Sequence, residues 1–147
     1  MKRLFIYYSL SGNGDLVANY LKEKDFDIRK VESKLKLSKN LFLCMMKGGF
    51  LALTGSKPKL INYDNNIDSY DEVVIGSPIW NGRFAAPTNT ILKETNLEGK
   101  KLTFILYAGG GEAPKTVKKI NKLYPNSKVI TLKQPKKYAS ELEKIEF

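Results

Sequence analysis

The chain has 147 residues, 42% of them hydrophobic and 11% aromatic, which describes a single globular domain over 1–147 with a core of its own. Histidine is absent and Cys44 is the lone cysteine, so zinc sites and Ser-His or Cys-His triads are excluded, and demanding chemistry falls to a bound organic cofactor. The net charge of +10 is concentrated in Arg29–Lys59, which sums to +7, and in Lys115–Lys137, which holds eight lysines and no acid.

In chain order, Arg3–Tyr8 predicts a buried strand that breaks into Ser9–Leu10–Ser11–Gly12–Asn13–Gly14. An amphipathic helix then runs from about Asp15 to Lys24, with Leu16, Val17, Tyr20 and Leu21 on one face. A strand entering a Ser/Gly/Asn loop that opens a helix builds an anion site. Loop amides turn inward, Ser9 and Ser11 add hydroxyls, and the helix N-terminus supplies the positive end of its dipole. The loop lacks the lysine of the nucleoside-triphosphate version and the three-glycine dinucleotide fingerprint. A terminal monophosphate held neutrally, by hydroxyls and amides alone, fits it best.

Phe26–Val31 predicts a short, basic edge strand, and Lys34–Ala52 a helix interrupted at Gly48–Gly49 that carries Cys44 as a small buried hydrophobe. Thr54–Asp71 reads as loop. The third strand, Glu72–Ile75, stops at Gly76, and a loop through Ser77, Pro78, Ile79, Trp80, Asn81 and Gly82 leads into a helix from about Ala85 to Thr95. The fourth strand, Leu102–Tyr107, ends in Ala108–Gly109–Gly110–Gly111. Pro114 opens a helix with Val117, Ile120 and Leu123 on its stripe. Lys128–Leu132 is the fifth strand, and a short helix from about Ser140 to Ile145 closes the chain.

Strands alternating with helical crossovers predict an α/β fold, a doubly wound five-stranded parallel sheet in the order 2-1-3-4-5. Ligands bind such sheets at the C-terminal ends of the strands beside the topological switch point. The strand ends meeting there are Tyr8, Ile75 and Tyr107, each followed by a glycine-containing loop. The second loop carries the only tryptophan, which on a loop suits a stacking platform. The phosphate loop and Trp80 together define a ligand with a phosphate at one end and a flat aromatic system at the other.

These segments resemble the flavodoxin-like family, especially its short single-domain members. Ser9–Gly14 is similar to its phosphate loop, usually Ser/Thr-x-Thr/Ser-Gly-Asn-Thr, and Tyr70–Trp80 to its third strand and flavin-ring loop. The resemblance implies FMN held non-covalently. Ser9, Ser11, Asn13 and the amides from Leu10 to Gly14 would bind the phosphate. Ser77 would join the cofactor-binding residues, and Pro78, Ile79, Trp80, Asn81 and Gly82 would line the ring, with Trp80 stacked on it. Ala108, Gly109, Gly110 and Gly111 would offer backbone donors to the pyrimidine edge. Asn81–Gly82 is also a dipeptide whose turn peptide can flip. Two departures predict weaker flavin binding: Gly14 stands where the family has threonine, and a second stacking ring is missing unless Tyr107 reaches over.

The resemblance implies a one- or two-electron carrier that docks on larger enzymes. A small NAD(P)H-dependent FMN or quinone reductase is the alternative within flavin chemistry, and a basic nucleotide- or RNA-binding module the alternative outside it. All but three of the basic residues are lysines, which favours an acidic redox partner protein over nucleic acid. The lone cysteine and the lack of a secretion-type leader suit the reducing cytoplasm. No apolar run is long enough to span a membrane.

Overall fold

The computed structural model describes residues 1–34 and 55–147. The helix expected over Lys34–Ala52, with Cys44 and Gly48–Gly49, falls outside the described residues beyond Lys34. Among those described, the strands are β1 (Arg3–Tyr7), β2 (Asp27–Lys30), β3 (Glu32–Ser33), β4 (Leu60–Ile61), β5 (Glu72–Trp80), β6 (Arg83–Phe84), β7 (Lys101–Ala108) and β8 (Lys128–Lys133). The helices are α1 (Asn13–Lys22), α2 (Ala86–Glu94) and α3 (Pro114–Leu123), followed by a 3-10 helix over Ala139–Lys144.

The main sheet runs β2-β1-β5-β7-β8 with every neighbour parallel, which is the doubly wound order expected. Its central strands are apolar on both faces because both are covered. Leu4, Ile6, Val73, Ile75, Phe104 and Leu106 point to one side, where Ile91 of α2 and Ile120 of α3 join them. Phe5, Tyr7, Val74, Ile105, Tyr107 and Leu132 point to the other, against Val17, Ala18 and Leu21 of α1. Phe5, Ile6, Val74, Ile75, Phe104 and Ile105 are fully buried, each contributing about 1.5–3 kcal/mol relative to exposure.

Two expectations are corrected. β5 does not stop at Gly76 but continues to Trp80. Gly76 is a packing glycine: a Cβ there would lie 2.6 Å from Phe5 Cζ and 2.9 Å from Tyr7 Cβ. Pro78 is tolerated because β1 ends its pairing at Gly76, so the proline nitrogen has no ladder partner to lose on that side. The 54–71 segment is not all loop, since Leu60–Ile61 pairs antiparallel with Glu32–Ser33. The short closing helix expected from about Ser140 to Ile145 is present as a 3-10 helix over Ala139–Lys144.

Candidate functional site

The C-terminal ends of β1, β5 and β7 carry the three predicted loops to one edge of the sheet, where β1 and β5 are neighbours and α1 and α2 leave to opposite faces. In the first loop Ser9 is an organiser. Its Oγ accepts from the backbone N–H of Gly12 (3.2 Å) and of Gly14 (3.0 Å), which folds the loop into a cup. Gly12, at φ +92°, takes the left-handed conformation that turns the chain into α1. Among the described residues the amides of Leu10, Ser11 and Asn13 donate to no protein acceptor. Leu10 and Ser11 are exposed at the rim. The Asn13 amide group donates to Ser11 Oγ at 3.2 Å. Open amides at a helix start with a hydroxyl at the rim fit a phosphate.

Gly14 is where close packing is most demanding. A Cβ there would come within 2.6 Å of Tyr107 Oη, 2.7 Å of the Tyr7 ring and 2.8 Å of Ser9 Cβ. The space a threonine side chain would fill is thus taken by two tyrosines. Tyr107 does not reach over any ring site: it is buried, and its hydroxyl donates to the Tyr8 carbonyl. Burial, reinforced by the charges of Tyr7 and Asp15, holds its phenol well above the ordinary range, so it stays protonated. Tyr7 donates to Asp15 Oδ1 at 2.7 Å, and its phenol is likewise raised, first by burial and then by that carboxylate. Burial pushes Asp15 up, but the Lys30 ammonium at 2.8 Å, the Tyr7 hydroxyl and the charge of Lys136 outweigh it and hold the carboxyl below its usual range.

The second loop is the tip of a hairpin. β6 folds back on β5 with Ile79 opposite Phe84 and Trp80 opposite Arg83. Asn81 (φ 50°) and Gly82 (φ 74°) form the two-residue link. Two positive φ values in succession match the hairpin turn that Asn-Gly favours. Thr116 of α3 donates to the Gly82 carbonyl at 2.9 Å and ties the tip down. Trp80 is half-buried, and Tyr8 meets it edge-on at 5.8 Å between centroids and 84°. Tyr8, next to Ser9, therefore joins the indole to the phosphate loop. Pro78 and Ile79 are also half-buried. Ser77 is not a lining side chain: it is fully buried, receives the Thr88 hydroxyl at 2.7 Å and donates to the Pro78 carbonyl.

In the third loop Ala108 is buried while Gly109 and Gly110 are exposed, and a Cβ on either would meet nothing within 4 Å. Gly111 closes the turn by donating to the Ala108 carbonyl.

A fourth loop, Gln134–Tyr138 after β8, was missed. Gln134 donates from its side chain to the Gly109 carbonyl (2.9 Å) and from its backbone to Ala108. The backbone N–H of Lys136 donates to Asn13 Oδ1 at 2.9 Å, across 123 positions of sequence, and its ammonium donates to the Ser11 carbonyl at 3.2 Å. The loop binds the first and third loops together and sets the Lys136 ammonium beside the first. The expected set of hydroxyls and amides did not include that cation, and the Asn13 carboxamide braces the loops rather than standing free. Nothing local in Gln134–Tyr138 signals this, because only the tertiary fold brings it beside Asn13.

A family model described as Flavodoxin matches residues 2–144. Among solved structures, the chain is similar to a protein from Bacteroides uniformis assigned as a flavoprotein, at 20% identity and TM-score 0.70, covering 87% of this chain and 85% of that one. It is also similar to one from Bacteroides eggerthii with the same assignment, at 18% identity and TM-score 0.69, covering 99% of each chain. A third similarity is to a flavoprotein in complex with FMN from Lactobacillus acidophilus, at 24% identity and TM-score 0.66, covering 88% of this chain and 89% of that one. A comparison with curated proteins finds no match.

Proposed function

The chain belongs to the flavodoxin family, and from that premise we propose that it binds FMN at the switch-point loops and serves as a one- or two-electron carrier to larger enzymes. The observation that carries this reading is the pairing of the open-amide cup at Leu10–Asn13 with the half-buried Trp80, joined through Tyr8. A phosphate cup and an indole on loops from neighbouring strands suit a flavin mononucleotide, the ligand in the structure of the Lactobacillus protein of similar fold.

FMN bound here supplies reversible electron uptake, and the protein's own groups do the rest. Ser9 holds the amides in place before the phosphate arrives, so little ordering entropy is lost on binding. Trp80 and Tyr8 offer apolar surface that excludes water from one side of the ring. Gly109 and Gly110 leave the pyrimidine edge room to approach backbone donors. The acid that follows the third loop, Glu112, is exposed.

Lysines border the site: Lys136 over the first loop and Lys115 beside Gly82 at the hairpin tip. They support an acidic redox partner as the docking protein, in a reducing cytoplasm. Among the described residues no helix is long and apolar enough to cross a membrane.

An absorbance scan after adding FMN to apoprotein tests the reading. A shifted flavin band is expected; no perturbation would refute it and return attention to a nucleotide- or RNA-binding module. Steady-state oxidation of NADH and NADPH with added quinone then separates the roles. A carrier shows no turnover of its own, whereas sustained turnover would identify a reductase.

A further inference from the structure

The side chain of Lys136 runs across Gly12, so that a Cβ on that glycine would lie 3.5 Å from both Cδ and Nζ, and the ammonium reaches the Ser11 carbonyl. It stands over the turn whose amides are open. The other cations nearby are engaged elsewhere. Lys133 and Lys137 sit over the Tyr138 ring at 5.1 and 5.4 Å, and Lys30 pairs with Asp15 at 2.8 Å. Asp15, the acid that would repel an anion here, is answered by that lysine and by the Tyr7 hydroxyl.

We propose that Lys136 is the charge partner of the phosphate in the Ser9–Gly14 cup, which makes it a specificity-determining residue for phosphorylated flavin; this rests on the FMN reading above. A neutral carbonyl is a weaker acceptor for an ammonium than a phosphate dianion, so the contact to Ser11 is exchanged for a charge-assisted one when the ligand enters. The backbone bond from Lys136 to Asn13 holds the ammonium over the cup beforehand and is independent of the side chain.

The test is fluorescence titration of wild type, Lys136→Gln and Lys137→Gln with FMN and with riboflavin, at about 20 and about 200 mM salt. Lys136→Gln keeps the backbone anchor and is expected to lower FMN affinity about tenfold at low salt, to flatten its salt dependence, and to leave riboflavin affinity unchanged. Lys137→Gln removes the same charge one residue away and is expected to preserve the FMN-to-riboflavin ratio. An equal fall for both flavins in Lys136→Gln would show that the lysine merely supports the loops. An equal loss of FMN affinity in Lys137→Gln would show that only net charge matters. Either result, or no change at all, overturns the proposal.

Inorganic phosphate is the second probe, read as melting temperature against chloride of equal ionic strength. Stabilisation of wild type but not of Lys136→Gln upholds the phosphate role even if FMN fails to bind, in which case the FMN reading alone falls. Equal stabilisation of both, or of neither, counts against Lys136.

Discussion

Two glycines in the loops have opposite constraints, and substituting alanine separates them. At Gly14 the nearest atoms are Tyr107 Oη, the Tyr7 ring and Ser9 Cβ, all under 3.0 Å from an added Cβ. Gly14→Ala is expected to destabilise the apoprotein by about 1–3 kcal/mol, the usual cost of overpacking a rigid site. At Gly110 an added Cβ meets open space, so Gly110→Ala is expected to leave the urea midpoint unchanged and to act only on FMN affinity. Equal midpoints for the two variants would contradict the packing at Gly14. Trp80 is the single tryptophan, so its emission should fall on FMN binding, and Trp80→Ala should weaken binding by about 1–2 kcal/mol through lost stacking and burial. Unchanged emission at saturation would place the flavin elsewhere. Asp15 gives a pH signature. Its folded-state carboxyl lies below the unfolded value of about 3.9, so the stabilisation is complete above that value and lost as pH falls through the folded one. Both members of its pair with Lys30 are partly exposed at 43%, so the effect is under about 1 kcal/mol. Asp15→Asn should flatten this part of the acid limb in urea titrations between about pH 5 and pH 2, and an identical limb would refute the coupling.

Elements with strong periodicity were legible in the sequence and those made by tertiary contact were not. β1, β7 and β8 fall within a residue or two of expectation because they are apolar runs bounded by polar turns. β5 was read too short because Gly76 and Pro78 look like terminators, whereas one accommodates Phe5 and the other sits beyond the reach of β1. The two-residue strands β3, β4 and β6 carry no periodic signal, although Asn81–Gly82 marked the turn that β6 completes. Of the candidate site, the strand–loop–helix turn at Ser9–Gly14 and the tight turn at Asn81–Gly82 were legible from residue type. The partner of the Ser77 hydroxyl was not legible, because a hydroxyl beside a loop looks the same in sequence whether it faces solvent or, as here, Thr88. The hairpin supplies a prediction at this scale. Asn81 and Gly82 both hold positive φ, so Gly82→Val, a β-branched residue in the left-handed region, should cost at least about 1–2 kcal/mol and splay the tip away from Thr116. A loss of FMN affinity larger than the loss of apoprotein stability would show that the hairpin's placement serves Trp80. Wild-type stability and affinity would contradict the turn geometry.

For the molecule as a whole, the charge of +10 now has positions as well as a sum. Lys115, Lys118, Lys119 and Lys122 are exposed on α3, the helix whose Thr116 grips the hairpin tip, and Lys136 stands over the phosphate loop. The lysine-rich segment therefore meets the proposed flavin site at Lys115, beside Gly82, and at Lys136, beside Gly12, while Lys128 begins β8 at the opposite edge of the sheet. Adding electrons to FMN bound between these loops would build negative charge near the Lys115 and Lys136 ammonium groups, on a scale where the Debye length is roughly 10 Å at 0.1 M salt. Coulomb attraction stabilises the reduced state, and added salt screens that attraction. The reduction potential of the bound flavin should therefore fall as ionic strength rises, by tens of millivolts at most because the lysines are exposed. Replacing Lys115 and Lys136 with glutamine should lower the potential at low salt and reduce its salt dependence. The same field attracts an acidic partner, so electron exchange with such a protein should slow as salt is raised, with the change in the association rate rather than in the final complex. Spectroelectrochemistry at low and high salt decides between this and control by local dipoles. A potential that stays fixed or rises would assign it to the loop amides and the α1 terminus, whose fields are fixed by the backbone and are felt at contact distance where salt does not penetrate.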